Sequence, residues 1–138
     1  GSVGVVLEAR RELDPRVLEE QVRAKPDRGT FAPIDGLAFV SRAAERHAIP
    51  VTCLRVGTAR MLHLPGELFV EYQLAARAMR PDLGVFMAAY GDYGPGYIGT
   101  AVSYGQGGYE VQVTSSFVGP ESEDPLLDAI GTLLEAPR

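Results

Sequence analysis

The sequence predicts an α/β fold in which helices flank a mixed sheet. Segments with helical spacing of apolar residues alternate with short apolar segments typical of strands, and two neighbouring strand-like segments form a hairpin pattern that a purely parallel sheet lacks. The 138 residues, 46% of them hydrophobic, suffice for one core and are too few for two. We therefore expect one α/β unit over residues 3–138, either a single domain or a fragment of a larger one. The preceding Gly1-Ser2 resembles the remnant of tag removal.

The first predicted elements are a strand and a helix. Residues Val3–Leu7 are apolar and largely β-branched, which predicts a strand. Asp14 followed by proline is typical of a capped helix start, so we predict a helix from Pro15 to about Ala24. The sequence at 25–29, Lys-Pro-Asp-Arg-Gly, then predicts a turn.

A second helix is predicted after the segment 33–36. Apolar residues recur there at near-helical spacing until a proline interrupts the pattern, so we expect the helix to end before Pro50. The residues that carry this spacing are Leu37, Val40, Ala44 and Ala48.

A hairpin and a third helix follow. Residues from Val51 to Leu64 alternate as in strands, and Gly57 marks a turn between the two halves. The sequence at 64–67, Leu-Pro-Gly-Glu, then breaks the second strand. Apolar residues lie on one helical face from Phe69 to Met79, and Pro81 ends that pattern.

A buried strand, glycine-rich loops and a terminal helix complete the prediction. Gly84–Tyr90 is apolar throughout, as in a strand, and the loop at 91–96, Gly-Asp-Tyr-Gly-Pro-Gly, contains enough glycine to approach a ligand closely. A second glycine-rich patch spans Gly105–Gly108. The last helix is predicted from Ser122 to Leu134 because a serine cap and a proline stand at its start.

The composition disfavours several classes of protein. A net charge of −5 and a pI near 5.0 repel a phosphate backbone, so no nucleic-acid binding is expected. No apolar run is long enough to span a bilayer, and no signal-peptide pattern opens the chain. The single cysteine, Cys53, cannot form an intrachain disulfide and is predicted to be a small core residue rather than a reactive thiol. Cysteine usage leaves the compartment open.

Glu67 is the first candidate functional residue. It lies where a strand gives way to a helix, a position that orients a carboxylate well for metal binding or for general-base catalysis. The alternative, which spacing alone favours, is that Glu67 stabilises the N-terminus of the helix after it.

Four tyrosines form a second group of candidates. Phenols in glycine-rich loops either donate hydrogen bonds to an oxyanion or bind a metal as phenolates. The alternative is that they pack against the sheet as amphipathic side chains. The four are Tyr93, Tyr97, Tyr104 and Tyr109.

Stronger catalytic signatures are missing from the sequence. His47 and His63 do not have the spacing of a metal-binding pair, and neither a His-Glu-x-x-His nor a Cys-x-x-Cys motif occurs. The serines lack the Gly-x-Ser-x-Gly elbow of a hydrolase; the three considered are Ser103, Ser115 and Ser116. The glycine loops also lack the phosphate-binding and dinucleotide-binding patterns, so neither a nucleotide site nor a dinucleotide site is expected.

One set of motifs carries a family resemblance. Leu64-Pro65-Gly66-Glu67 is followed about thirty residues later by Gly96-Tyr97-Ile98, and then by Tyr104 and Tyr109-Glu110. This arrangement resembles the C-terminal part of the catalytic domain of neutral/alkaline non-lysosomal ceramidases, in particular ceramidase-like bacterial proteins. The resemblance implies that Glu67 and Tyr97 are zinc ligands and that Tyr109 is a catalytic residue close to the zinc-bound water and the substrate.

The implied activity is zinc-assisted hydrolysis of an amide-containing or lipid-like substrate. In the family, two histidine ligands lie upstream of the glutamate, and neither His47 nor His63 matches them. The upstream half of the catalytic domain is therefore expected to complete the site, and this chain alone is expected to be inactive and to bind zinc weakly or not at all. The segment Leu68–Tyr72 replaces the family's paired threonines and Gly-Arg-Arg, which argues against ceramide itself as substrate.

Two hypotheses from other classes remain open at this point. In the first, the chain is a non-catalytic domain that uses the same glycine loops for small-ligand binding or assembly without a metal. In the second, it is a structural unit whose exposed sheet edge pairs with another copy to give a homo-oligomer.

Overall fold

The structure is a computed structural model that describes residues 1–24, 31–91 and 94–135. Its strands are β1 (Ser2–Val6), β2 (Ala48–Val56), β3 (Ala59–Pro65), β4 (Glu67–Leu68), β5 (Gly84–Gly91) and β6 (Tyr97–Ile98). Its helices are α1 (Pro15–Ala24), α2 (Phe31–Ala44), α3 (Val70–Met79), α4 (Ala101–Gln106) and α5 (Glu123–Glu135), with a 3₁₀ turn at Pro120–Ser122 before α5. None of the helices in these ranges is long and apolar enough to cross a bilayer.

The main sheet is mixed, as the sequence predicts. It has four strands in the order β1-β2-β3-β5, of which β3 and β5 are parallel and the other neighbours antiparallel. The predicted hairpin is confirmed: β2 and β3 meet at a turn in which Gly57 has a φ of +57°. Helix α3 forms the crossover that parallel pairing of β3 and β5 requires. The chain therefore has the predicted α/β fold with a mixed sheet.

The second helix begins earlier than predicted and ends before Pro50 as predicted, but it does not extend as far as Ala48. The segment 33–36 lies inside α2, and the helix ends at Ala44, whereas Ala48 already belongs to β2. Arg46 has a left-handed φ of +54°, and the backbone N–H of His47 donates to the carbonyl of Arg42 over 3.0 Å. These are the features of a Schellman motif, which ends the helix several residues before the proline at position 50. Ala48 has helical spacing in the sequence but does not belong to the helix.

The other predicted helices begin and end close to where the sequence places them. Helix α1 spans Pro15–Ala24, and the carboxylate of Asp14 accepts a hydrogen bond from the N–H of Arg16 at 2.8 Å. Helix α3 ends at Met79, before Pro81, and α5 extends one residue beyond Leu134. The predicted turn at 25–29 lies outside the described residues.

The core lies between one face of the main sheet and the helices α3 and α5. Alternate strand residues face these helices, and Cys53 is buried among them, which confirms its prediction as a core residue. Each large aliphatic side chain buried in this way contributes about 1.5–3 kcal/mol of transfer free energy. The largest fully buried apolar side chains include Val51, Leu62, Leu64, Leu126, Ile130 and Leu134.

Tyr72 connects α3 to the segment that follows β6. Its side chain is 1% exposed, and its hydroxyl donates a hydrogen bond of 3.0 Å to the carbonyl of Gly99. Burial raises the pKa of Tyr72 well above its ordinary value, so the phenol is neutral in the folded protein. The start of α3 is thereby fixed against the chain just after Tyr97.

We predict that Tyr72→Phe lowers the free energy of unfolding by about 1–2 kcal/mol, because the buried Gly99 carbonyl loses its donor. The raised pKa of folded Tyr72 means that its neutral form stabilises the fold below pH ~10 and that this stabilisation is lost as pH rises above that value. The variant should therefore lose less stability than the wild type on going to alkaline pH. Urea unfolding at neutral and alkaline pH measures both effects, with Tyr109→Phe as the exposed control. Equal stability of all three proteins would contradict the prediction.

Candidate functional site

Glu67 and Tyr97 are neighbours in a small parallel sheet, although about thirty residues separate them in sequence. Strands β4 and β6 pair so that Glu67 and Tyr97 are register partners. The N–H of Glu67 donates to the carbonyl of Gly96 at 2.9 Å, and the N–H of Phe69 donates to Ile98 at 3.0 Å. Because register partners extend from the same face of a sheet, the carboxylate and the phenol lie side by side.

Glycines allow the two segments to approach closely. Gly66 has a φ of +67°, and a Cβ at that position would lie 2.7 Å from the carbonyl oxygen of Gly96. A Cβ on Gly94 would collide with the backbone of Gly66, and one on Gly96 would collide with the carbonyl of Ser115. These glycines thus allow neighbouring backbone segments to pack closely. They also line the site described below.

Glu67 does not cap the helix that follows it. The N-cap of α3 is Phe69, which makes no side-chain capping bond, and the acidic residue in the first turn is Glu71. The carboxylate of Glu67 lies instead close enough to the phenols of Tyr90 and Tyr97 to raise the pKa of both. Glu67 therefore does not act as the N-cap residue of α3.

Tyr90 is a site residue that the sequence did not single out. It lies near the end of β5, is 72% exposed, and has a left-handed φ of +61°. Its backbone N–H donates to the carbonyl of Gly66 at 2.7 Å, which holds it beside Glu67. The sequence could have indicated Tyr90 only through its position next to the predicted glycine loop. That signal is weak, because the last residue of an apolar strand usually has no functional role.

The Glu67 carboxylate controls the ionisation of two phenols. Its negative charge is the largest cause that raises the pKa of Tyr97, and its hydrogen bond is the largest cause that raises the pKa of Tyr90. Both phenols are therefore protonated at neutral pH and available as hydrogen-bond donors. The ring of Tyr109 meets the ring of Tyr97 edge-on, with centroids 6.1 Å apart and planes at 75°.

These groups surround an open depression of about 500 Å³. That volume is within the range of small-molecule sites. Two of its lining residues, Thr114 and Ser115, carry hydroxyl groups and were not predicted as site residues. The lining residues are Gly66, Glu67, Tyr90, Gly91, Gly94, Gly96, Tyr97, Tyr109, Thr114 and Ser115.

Three other sequence candidates, His47, His63 and Tyr104, do not line this depression. The imidazole of His63 lies against Gly91, which does line it, since a Cβ on that glycine would lie 2.8 Å from the ring. His47 lines a separate apolar cavity of about 40 Å³. The hydroxyl of Tyr104 is 2.7 Å from Ser116 Oγ, so this tyrosine has a structural partner. Tyr93 lies outside the described residues.

The donors present fit part of a zinc site. Glu67 and Tyr97 offer two oxygen donors on one face, and oxygen donors from carboxylates are ordinary zinc ligands. Within the described ranges, no group of three or more His, Cys, Asp or Glu side chains is arranged to hold a metal ion. The chain thus brings the two implied ligands together, and nitrogen donors would have to come from elsewhere. Their role as ligands stays a prediction.

Comparisons of the chain with known protein families, with curated proteins and with solved structures found no match.

We predict that Gly66→Ala lowers the free energy of unfolding by about 2–4 kcal/mol. The added Cβ is disfavoured by the left-handed backbone and also clashes with the Gly96 carbonyl, and the two costs add. Gly57→Ala is the matched control, since Gly57 has a similar φ of +57° with nothing within 4 Å of the added Cβ. It should lose only about 1–2 kcal/mol. Urea unfolding measures both variants, and equal losses would show that the contact between Gly66 and Gly96 is not tight.

We predict that Glu67→Gln lowers the pKa of both Tyr90 and Tyr97 toward the ordinary phenol value, because the carboxylate charge and its hydrogen bonds raise them. Spectrophotometric titration of phenolate absorbance should show two tyrosines ionising at lower pH than in the wild type. Glu20→Gln, an exposed change on α1, is the control and should leave the titration unchanged. Unchanged curves for Glu67→Gln would contradict the described geometry.

Proposed function

We propose that this chain is the C-terminal segment of a ceramidase-like, zinc-dependent amide hydrolase. In this proposal Glu67 and Tyr97 supply the metal with two ligands, and Tyr109 contacts the oxyanion or the substrate. The upstream half of the catalytic domain supplies the two remaining ligands, and the segment alone is inactive.

The observation that carries the proposal is the pairing of β4 with β6. The resemblance assigns zinc binding to a glutamate and a tyrosine in separate motifs, and these two residues are register partners across a two-stranded sheet. Tyr109, from the third motif, contacts Tyr97 ring to ring beside the same depression. Three motifs spread along the chain thus meet at one place.

The chain's own residues would perform distinct tasks there. Zinc, when bound, lowers the pKa of water and polarises a carbonyl. The carboxylate of Glu67 offers a negative charge that attracts a cation, and the protonated hydroxyl of Tyr90 can donate a hydrogen bond to a developing negative charge. Tyr109 is exposed on the rim, where its hydroxyl is free to contact a bound amide.

A second hollow, of about 440 Å³, shares Glu67 and Tyr97 with the depression and suits an apolar arm of the substrate. Its other lining residues are Leu68, Phe69, Val70, Glu71 and Glu110. Apolar side chains favour an acyl or alkyl group, and the two carboxylates disfavour an anionic head group. We therefore infer an amide with one apolar arm and a neutral or cationic polar part.

A non-catalytic ligand-binding domain is the second candidate function. The observation in its favour is that the phenols of Tyr90 and Tyr97 line the same depression as the carboxylate of Glu67. Two hydroxyl donors and one carboxylate acceptor around an open depression suffice to orient a small polar ligand without a metal.

Calorimetric titration with zinc tests the proposal on three proteins: this chain, a longer chain extended upstream, and the longer chain with Glu67→Ala. We expect stoichiometric zinc in the longer chain, loss of at least 10-fold in affinity on removal of Glu67, and weak or no binding by this chain alone. Glu20→Ala in the longer chain is the control for an unrelated lost carboxylate.

Either of two results would contradict the zinc proposal. The first is a longer chain that folds and binds no zinc, which would leave the ligand-binding candidate. The second is zinc binding by the longer chain that Glu67→Ala and Glu20→Ala affect equally. If Glu67→Ala weakens binding selectively, a screen of amides with apolar arms follows, with Tyr109→Phe expected to lower the rate more than the affinity for zinc.

A further inference from the structure

Three aromatic rings and one carboxylate line the depression. The aromatic residues are Tyr90, Tyr97 and Tyr109, and the acidic one is Glu67. The other lining residues within the described ranges are glycine, threonine and serine, and none is lysine, arginine or histidine. The wall of the depression therefore combines negative charge with ring surface and carries no basic group.

The rings of Tyr97 and Tyr109 form a corner in this wall. Their centroids are 6.1 Å apart and their planes meet at 75°, so that the two rings are nearly perpendicular. The face of an aromatic ring attracts a cation that lies within about 6 Å of the ring centroid. A cation seated in the corner can be within that distance of both centroids at once.

Tyr90 adds a third ring near the same carboxylate. Glu67 raises the pKa of Tyr90 and that of Tyr97, which places the carboxylate close to both phenols. The backbone of Tyr90 has a left-handed φ of +61°, a conformation that glycine adopts more easily than tyrosine. An aromatic residue held in an unfavourable conformation beside a cavity is typical of a functional position.

We infer that the depression binds an organic ammonium cation, with the rings of Tyr90, Tyr97 and Tyr109 around its carbon substituents and the Glu67 carboxylate beside its charge. Aromatic faces suit such a cation because its charge is spread over methyl or methylene groups. The inference rests on the second candidate function, which is ligand binding without a metal. Zinc and this cation would compete for the carboxylate of Glu67.

The neighbouring hollow predicts an alkyl arm on the ammonium group. This hollow shares Glu67 and Tyr97 with the depression, and its other lining residues are three apolar ones and two acids. Its apolar side chains favour an alkyl chain that extends from the nitrogen. The acids, Glu71 and Glu110, repel phosphate and carboxylate groups. The expected ligand is therefore an alkylammonium ion that carries no anionic group.

The openness of the depression predicts weak binding. Tyr90 is 72% exposed and Tyr109 is 64% exposed, so water still reaches their rings when a cation is bound. The attraction between a cation and an aromatic ring is weaker at exposed sites than at closed ones. We expect a dissociation constant of about 1–10 mM for a small ammonium ion.

An NMR titration of this chain with choline tests the inference, with EDTA present and the ionic strength held constant. The backbone amide signals of Tyr90, Tyr97 and Tyr109 should shift. The alcohol in which a tert-butyl group replaces the trimethylammonium group of choline has the same shape without the charge, and it should bind at least about 5-fold more weakly. Phosphocholine should also bind more weakly than choline, because the acids repel its phosphate. Hexyltrimethylammonium should bind about 10-fold more tightly, because its alkyl arm enters the neighbouring hollow.

Substitutions separate the contribution of the rings from that of their hydroxyl groups. A double variant with Tyr90→Phe and Tyr109→Phe keeps both rings and should bind choline within about 2-fold of the wild type. The double variant with Tyr90→Leu and Tyr109→Leu should bind at least about 5-fold more weakly, and so should Glu67→Gln. Phe86→Leu is the matched control, since Phe86 is 57% exposed and does not line the depression. Circular dichroism should show the same fold for all variants.

Three results would overturn the inference. The first is equal affinity for choline and for its neutral isostere, which would leave a ligand-binding site without a preference for cations. The second is an equal effect of the leucine double variant and of Phe86→Leu. The third is the absence of shifts with choline and with hexyltrimethylammonium. The zinc titration uses the longer chain and no ammonium ion, so the zinc proposal and this inference can fail separately.

Discussion

The close contact between Gly66 and the Gly96 carbonyl is the constraint on which the candidate site depends. A side chain on either glycine would push the backbones apart, and the two-residue strands that follow have few hydrogen bonds of their own. Because this contact holds, Glu67 and Tyr97 meet, and α3 starts in a position where Tyr72 reaches the Gly99 carbonyl. One steric requirement in the turn thus places a carboxylate, a phenol and a helix.

The charge of Glu67 determines how the site behaves. It raises the pKa of Tyr90 and of Tyr97 and so keeps both phenols in their protonated form. A bound cation would compete with these hydroxyls for the same oxygens and would lower the pKa of both phenols, the opposite of what Glu67 does. The Glu67 side chain therefore fits both a metal site and a hydrogen-bonding site. Which of the two forms depends on whether further metal ligands are placed beside it.

Local signals in the sequence predicted most of the fold. The proline after Asp14 marked the start of α1, and Gly57 marked the hairpin, because in each case one residue type fits the required backbone. The sequence placed the end of α2 only coarsely, before Pro50, because Arg46 adopts a left-handed conformation that no sequence pattern indicates. The site was only partly predictable. Motifs indicated Glu67 and Tyr97, but the part played by Tyr90 depends on β5 running parallel to β3, which places the end of β5 beside Gly66.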